Sequence, residues 1–143
     1  MMFISVTRLR IRSLRFMPVF IVQLLGTNGQ VRRADGFVTG SLLPDRRLTF
    51  WTMMLWRDQT AMRHYVTHGS HLQSMPKLLH WCDEASIVHW DQPDRILPSW
   101  DEADRRMRAD GRPSKVMHPS VDHQALDFRP PRITRATPIA PAP

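Results

Sequence analysis

The segment RLTFWTMMLW (residues 47–56) constrains the fold more than any other part of the chain. Its residues are typical of a β-strand, but both of its faces are apolar. One face would carry Phe50, Met54 and Trp56, and the other Trp51, Met53 and Leu55. A strand of this kind has to be covered on both sides. We expect the chain's own helices to cover one side and a second sheet, supplied by another subunit, to cover the other.

The neighbouring segments predict a mixed α+β order. Residues 2–12 alternate with period two, residues 15–25 form an apolar helix, and GFVTGSLL (36–43) is a second strand. After the third strand, Asp58 is placed to cap a helix that Gly69 ends. Ser74 caps the next helix from about Pro76, and ASIVHW (85–90) is the fourth strand. This βαββαβ order is the ferredoxin-like arrangement.

An extra helix follows this core at residues 99–110. Ser99 and Glu102 match a capping box, Trp100, Ala103 and Met107 form an apolar stripe, and Gly111 ends the helix. We therefore predict a domain over residues 1–111. Residues 112–128 are expected to pack as an extended arm, and the Pro-rich residues 129–143 to be disordered.

Charge and composition narrow the partners. The formal net charge is +7 over 143 residues, but no nucleic-acid-binding signature accompanies it, so we predict a solvated basic surface and no nucleic-acid partner. The apolar part of residues 15–25 is too short to span a bilayer, for which about 20 residues are needed, and we predict no membrane association. The single cysteine, Cys82, favours the cytoplasm.

Histidines are concentrated in residues 64–90, HYVTHGSHLQSMPKLLHWCDEASIVHW. His64 and His68 have the i,i+4 spacing of a zinc motif, but the glutamate of that motif is missing. His71 could supply a third ligand only if the turn at Gly69 folds back. The sequence therefore predicts no metal site, with Cys82 as a small buried residue and His89 as a core or interface histidine.

The segment TFWTMMLWRDQTAMRHYVTHGSHLQSMPKL resembles the dimeric α/β-barrel superfamily, which includes the antibiotic-biosynthesis monooxygenases. The nearer likeness is to small uncharacterised bacterial proteins and to spheroidene monooxygenase. These share a W-x4-AM-x2-[YF]-x3-G-x-H layout, which falls here on Trp56, Ala61, Met62, Tyr65, Gly69 and His71. The resemblance implies a homodimer whose sheets close a barrel, and a monooxygenase-like activity.

The resemblance also implies site residues. Haem-degrading members use an Asn, a Trp and a His that would fall near Thr7 and at Tyr65 and Met75, so that mechanism is not retained. His71 is the first candidate for a catalytic acid or base, or for the haem ligand if haem is bound, with His64 and Tyr65 as further catalytic candidates. The cofactor is either absent or haem.

Candidate substrate-binding residues are Arg8, Trp51, Met53, Trp56 and His68. The aromatic and methionine side chains would line a pocket between sheet and helices, or would instead form a dimer core. Arg8 would meet an anionic substrate group or simply reach solvent.

Two functions remain open at this point. One is a small monooxygenase-like enzyme that acts on an apolar or aromatic compound. The other is a non-catalytic dimeric module that binds a ligand or supports a partner.

Overall fold

The structure is a computed structural model that describes all residues from 1 to 143. Its strands are Met2–Ile11 (β1), Phe37–Asp45 (β2), Thr49–Trp56 (β3), Cys82–Gln92 (β4), Arg112–Pro113 (β5) and Thr137–Ile139 (β6). Its helices are Met17–Arg32 (α1), Gln59–Val66 (α2), Gly69–Trp81 (α3) and Trp100–Asp110 (α4).

All six strands form one antiparallel sheet in the order β5-β4-β1-β3-β2-β6. Its four central strands, β4-β1-β3-β2, have the ferredoxin-like order, so the predicted α+β, βαββαβ fold is confirmed. The alternation of side chains gives the sheet two distinct faces. Helices α1, α2 and α3 cover one, which we call the helix face. Helix α4 covers the other, which we call the arm face, together with the second part of residues 112–128, the arm; the first part of the arm pairs with β4 and contacts α3, where the Met117 N–H donates to the Leu79 carbonyl oxygen.

The arm face has a continuous apolar core. Trp51, Met53 and Leu55 of β3 are fully buried, and they share one cluster with Trp100 and Met107 of α4. The second cover of β3 therefore comes from the same chain, where we had expected the sheet of another subunit. The apolar stripe of α4 is the physical reason, because it needs a partner surface as much as β3 does. A barrel-forming homodimer remains a prediction.

Helix α1 is longer than predicted. Gly26 and Gly29 do not end it, and it continues to Arg32. Val31 near its end is fully buried against the sheet, and this anchor outweighs the cost of about 1 kcal/mol that each glycine imposes on a helix. None of the four helices combines the length and the apolar character needed to cross a bilayer.

The start of α3 also differs from the prediction. The helix begins at Gly69, whose positive φ of 59° suits glycine, and Pro76 lies inside it rather than in its first turn. Ser74 does not cap the helix. Its hydroxyl contacts the Ser70 carbonyl oxygen and Gln23 Oε1, each at 2.7 Å, so it joins α3 to α1.

The capping predictions for the other helices are confirmed. Asp58 accepts a hydrogen bond from the Ala61 N–H at 2.8 Å at the start of α2, and Ser99 accepts one from the Glu102 N–H at 3.1 Å at the start of α4. Along α4, Glu102 pairs with Arg106 at 2.8 Å. Both helices thus begin where the sequence places their caps.

The arm and the tail are fastened to the sheet. In the arm, His123 is buried, accepting from the Ala85 N–H at 3.3 Å through Nδ1 and lying 2.8 Å from the Ser114 carbonyl oxygen through Nε2. In the tail, Thr137–Ile139 pairs with β2 as β6, and Ile139 is buried. The structure therefore differs from the expected disordered tail, because Ile139 adds an apolar anchor in an otherwise Pro-rich segment.

Candidate functional site

The apolar packing under the helices is divided into two clusters. One contains Trp56 and Tyr65 near one end of the sheet, and the other contains Ile11 and Phe20 near the opposite end. Between them lie two rows of half-buried residues in register, Ser5–Met54–His89 and Thr7–Thr52–Ile87. We call this region the gap.

Helix α1 packs on the two clusters through buried residues near its ends. Its two buried residues are Phe20 and Val31, one near each end of the helix. They are eleven positions apart, which corresponds to roughly 16 Å along the helix axis. Between them, Leu24 is half-buried and packs against the Phe20 cluster, while the residues of the gap itself stay half-buried.

Tyr65 borders the gap from the side of α2. Its ring lies 5.3 Å from Trp56 and 4.9 Å from His71, measured between ring centroids. Its phenol donates a hydrogen bond to the Thr27 carbonyl oxygen at 3.3 Å, and burial raises the pKa of this phenol above its usual value. At neutral pH the Tyr65 hydroxyl is therefore a donor, not a base.

His71 is held at the start of α3 by contacts to two other helices. Its backbone N–H donates to Gln30 Oε1 at 2.8 Å, and its ring Nδ1 lies 3.3 Å from the Val66 carbonyl oxygen. Because a carbonyl only accepts, that contact requires the proton on Nδ1 and leaves Nε2 as the acceptor. Burial lowers the pKa of His71, so the ring is neutral at pH 7.

His64 and His68 lie at the surface of this region. Their rings stack with centroids 4.0 Å apart, both side chains are exposed, and His68 Nδ1 is 2.6 Å from the His64 carbonyl oxygen. No three His, Cys, Asp or Glu side chains of the chain are grouped so that they could hold a metal ion. The two histidines stack on each other near the end of α2, and they do not form a catalytic pair.

The candidate substrate-binding residues are split between the two faces. Trp56 lies on the helix face, whereas Trp51 and Met53 belong to the arm-face core. These three side chains cannot line one pocket, because the sheet stands between them. The alternation of side chains along β3 already separates Trp51 and Met53 from Trp56, and the single pocket expected from the sequence is not formed.

Arg8 also lies on the arm face. Its Nη1 is 2.7 Å from Glu84 Oε1, and its guanidinium lies 4.2 Å from the centroid of the Phe128 ring. Burial lowers the pKa of Arg8, while the hydrogen bond to Glu84 acts in the opposite direction. Arg8 and His71 therefore lie on opposite faces of the sheet and cannot belong to the same site.

His89 is a residue of the gap that sequence reasoning assigned to the core or an interface. It is half-buried beside Ser5 on the helix face, and its ring centroid is 5.1 Å from that of Phe3. Burial lowers its pKa, and the nearby charges of Arg112 and Arg63 act in the same direction. The sequence could have indicated this position, because residues two apart on a strand, such as Ile87 and His89, lie on the same face of the sheet.

Cys82 does not contribute chemistry to the site. It is fully buried as the first residue of β4, and burial raises the pKa of its thiol to about 12. A thiol with such a pKa is not a nucleophile at neutral pH. The interpretation of Cys82 as a small core residue agrees with this environment.

Comparison with solved structures identifies the same fold in oxygenases. SnoaB, a cofactor-independent oxygenase from Streptomyces nogalater, matches with a TM-score of 0.52 and 20% identity over 68% of this chain and 98% of its own. A protein described as an antibiotic biosynthesis monooxygenase matches with a TM-score of 0.57 and 12% identity, over 64% and 99% of the two chains. Rv0793 from Mycobacterium tuberculosis matches with a TM-score of 0.59 and 11% identity, over 66% and 97%. At these identities the likeness shows the fold alone. No curated protein matches the sequence.

The resemblance to antibiotic-biosynthesis-monooxygenase-like proteins is confirmed at the level of the fold by these neighbours. The model of one family, described as Domain of unknown function (DUF3291), matches residues 15–113. The matched part runs from the turn before α1 to the end of β5. The chain is therefore a member of the DUF3291 family, built on the fold of the antibiotic-biosynthesis monooxygenases.

Proposed function

We propose that this protein is a monooxygenase-like enzyme that binds a small apolar or aromatic compound in the gap between the sheet and its helices. The observation that carries the proposal is the division of the helix-face core into two clusters, with half-buried residues between them. If this face contributed only to stability, we would expect its centre to be filled, because protein interiors are packed as densely as organic crystals. The fold shared with oxygenases supports the same conclusion.

The floor of the gap combines apolar and hydroxyl-bearing side chains. Met54 and Ile87 offer apolar contact, and Ser5, Thr7 and Thr52 offer hydroxyl groups. Such a mixture suits a flat aromatic compound with one or two oxygen substituents, because polar groups in a pocket fix the orientation of an otherwise apolar ligand.

His89 is the base that this floor supplies. Its lowered pKa keeps the imidazole neutral at pH 7, the form that can accept a proton from a phenol. The resulting phenolate passes electrons from a ring carbon to O2. One oxygen atom stays on that carbon, the ring becomes a quinone, and the second oxygen atom leaves as water. A phenol and O2 are thus converted to a quinone and H2O without a further reductant.

His71 is the second candidate base, and it rests on the resemblance. Its Nε2 is the acceptor, and its ring contacts Tyr65, which borders the gap. If haem is bound, the same Nε2 would be the atom of His71 that holds its iron, because Nδ1 is directed to the Val66 carbonyl oxygen. Tyr65 would then contribute a hydrogen-bond donor, and the exposed His64 and His68 would lie at the mouth.

The alternative is a non-catalytic module that binds the same kind of compound in the same gap. One observation favours it: the polar atoms of Tyr65 and one ring nitrogen of His71 already face backbone carbonyl oxygens. Both side chains then serve to join α1, α2 and α3, and binding in the gap would not be followed by reaction.

Oxygen uptake with 1-naphthol separates these functions. We expect binding, seen as quenching of the naphthol fluorescence, together with oxygen consumption that falls about 100-fold in His89→Ala. Thr7→Leu should abolish binding by filling the gap, while Thr137→Leu on the exposed strand β6 is the matched control. Binding without oxygen uptake would support the non-catalytic module, and absence of binding would contradict both.

Adding haemin to the purified protein tests the haem version separately. A Soret band that shifts on binding and is lost in His71→Ala, but not in the exposed control His64→Ala, is expected if His71 is the ligand. A spectrum identical to that of free haemin would remove haem from the proposal without affecting the naphthol experiment.

A further inference from the structure

The arm borders an open cavity on the opposite side of the sheet from the gap. On the β4 side, the Ser120 N–H donates to the Asp83 carbonyl oxygen at 2.9 Å. On the other side, just past the arm, Arg46 Nη2 donates to the Pro130 carbonyl oxygen at 3.3 Å. The chain thus crosses the end of the sheet from edge to edge. Beneath it lies a cavity of about 450 Å³, with Arg8 of β1 and Thr49 of β3 at its base.

The lining of this cavity is polar, and its size is that of a small-molecule site. Only one of its twelve lining residues, Phe128, is hydrophobic. The guanidinium groups of Arg8 and Arg108 lie 4.2 Å and 4.3 Å from the centroid of the Phe128 ring. The ring is therefore fixed between two cations and forms a rigid wall.

The charged groups of the lining are five arginines and four carboxylates, a sum of +1. The arginines are Arg8, Arg10, Arg46, Arg47 and Arg129, and the carboxylates are Asp45, Glu84, Asp122 and Asp127. One anionic ligand would bring the site to neutrality.

Several of these groups are already paired. Glu84 accepts from Arg8 at 2.7 Å and lies 3.3 Å from Arg10, which also binds Asp83. Asp45 lies 3.9 Å from Arg46 and 3.6 Å from Arg132, a cation just outside the lining. These ion pairs neutralise the charged groups at the base of the cavity and hold their side chains in place.

Two cations and two anions are left without side-chain partners. Arg47 and Arg129 make no side-chain hydrogen bond or ion pair within the chain, and their side chains are exposed at the mouth. The carboxylates of Asp122 and Asp127 are likewise unpaired. A ligand that satisfies all four groups must present both an anionic group and hydrogen-bond donors.

We propose that this cavity binds a small carboxylic acid that carries hydroxyl or ammonium groups. Arg47 and Arg129 bind its carboxylate, since the guanidinium fork matches a carboxylate bidentately. Asp122 and Asp127 accept hydrogen bonds from its donor groups, and Phe128 packs against its carbon chain. The proposal does not depend on the function of the gap, because the two sites lie on opposite faces of the sheet.

Isothermal titration with four probes tests this assignment on the full chain. Gluconate supplies a carboxylate and hydroxyl groups, propionate the carboxylate alone, glycerol the hydroxyl groups alone, and inorganic phosphate a different anion. We expect gluconate to bind most tightly. Arg47→Gln and Arg129→Gln should each weaken it about tenfold, the loss associated with one charged hydrogen bond.

Matched variants keep the result interpretable. Arg33→Gln removes an exposed arginine outside the cavity and should leave gluconate binding unchanged. Asp127→Asn should weaken gluconate more than propionate, because only gluconate uses this carboxylate. Circular dichroism of each variant confirms folding. Absence of gluconate binding, tighter binding of phosphate than of gluconate, or an equal loss in Arg33→Gln would each overturn the proposal.

Discussion

The two faces of the sheet are packed in different ways although they share the same strands. On the arm face, β3 presents Trp51, Met53 and Leu55, all fully buried under α4. On the helix face, the same strand presents Thr52 and Met54, which stay half-buried under three helices. The number of covering elements therefore does not decide how tightly a face is packed.

The difference follows from which side chains each face receives. Beneath α4, large apolar side chains on the arm face meet the stripe of one short helix and leave no space between them. Small hydroxyl-bearing side chains at the centre of the helix face cannot reach a helix that is anchored at its two ends. The part of the arm face under α4 contributes mainly to stability, whereas the centre of the helix face is the region where we propose that a ligand binds.

Truncation of Trp51 should destabilise the packing of the arm face and have the largest effect on stability. Trp51→Ala removes a fully buried ring that contacts Trp100 and Phe128. We expect the free energy of unfolding to fall by about 3–5 kcal/mol in urea titration. Met54→Ala on the helix face is the control and should cost clearly less. Equal losses would mean that the two faces are packed alike.

Truncation of Met107 asks whether α4 seals the arm face. The Met107 side chain is fully buried in the same cluster as Trp51. Met107→Ala should lower the free energy of unfolding by about 2–4 kcal/mol. The exposed Arg105→Ala on the same helix should change it by less than about 0.5 kcal/mol. A small effect of Met107→Ala would show that another surface covers this face in solution.

Removal of the two caps compares the helices without touching either core. Ser99→Ala at α4 and Asp58→Ala at α2 each leave one helix N–H without its acceptor. Each should lower the free energy of unfolding by about 1 kcal/mol, measured by thermal or urea denaturation. Similar losses would assign the difference between the faces to packing; a much larger loss at one cap would assign part of it to the helices themselves.

The pH dependence of stability tests the helix face and is expected to show the smallest effect. Burial lowers the pKa of both His71 and His89 in the folded protein. The unfolded chain, with histidine pKa values of about 6.5, therefore binds protons first as the pH falls. The free energy of unfolding should decrease from pH 7 downward until the folded pKa values are reached. His71→Gln should flatten this slope in urea titrations at several pH values. The exposed His64→Gln should not, and an unchanged slope in His71→Gln would contradict the buried position of His71.

Much of the fold could be predicted from local patterns. The central strands, the caps at Asp58 and Ser99 and the apolar stripe of α4 depend on residues close in sequence, and each is found in the structure. The full length of α1 and the start of α3 could not be predicted, because tertiary contacts of Val31 and Gly69 outweigh the local preferences of glycine and proline. The cover of the arm face was misassigned because α4 and β3 were not recognised as partners.

The candidate sites were less predictable than the fold. The likeness of residues 56–71 to monooxygenase-like proteins indicates His71 and Tyr65, and the structure does bring these two side chains together. The cavity beneath the arm was out of reach of sequence reasoning, because Arg47 and Arg129 come to line one cavity only through the path of the chain across the sheet. Neither residue belongs to a motif, so their proximity is a property of the fold alone.

The outermost strands carry a consequence for assembly. Both β5 and β6 are only two or three residues long, and each contains a proline, Pro113 or Pro138. Proline offers no N–H to a neighbouring strand, and very short edge strands give an incoming strand little to pair with. The two short strands therefore shield Ser86–Ile87 of β4 and Gly40–Leu42 of β2 from strand addition. We expect a copy of this chain to find no unbroken edge along which one continuous sheet could extend.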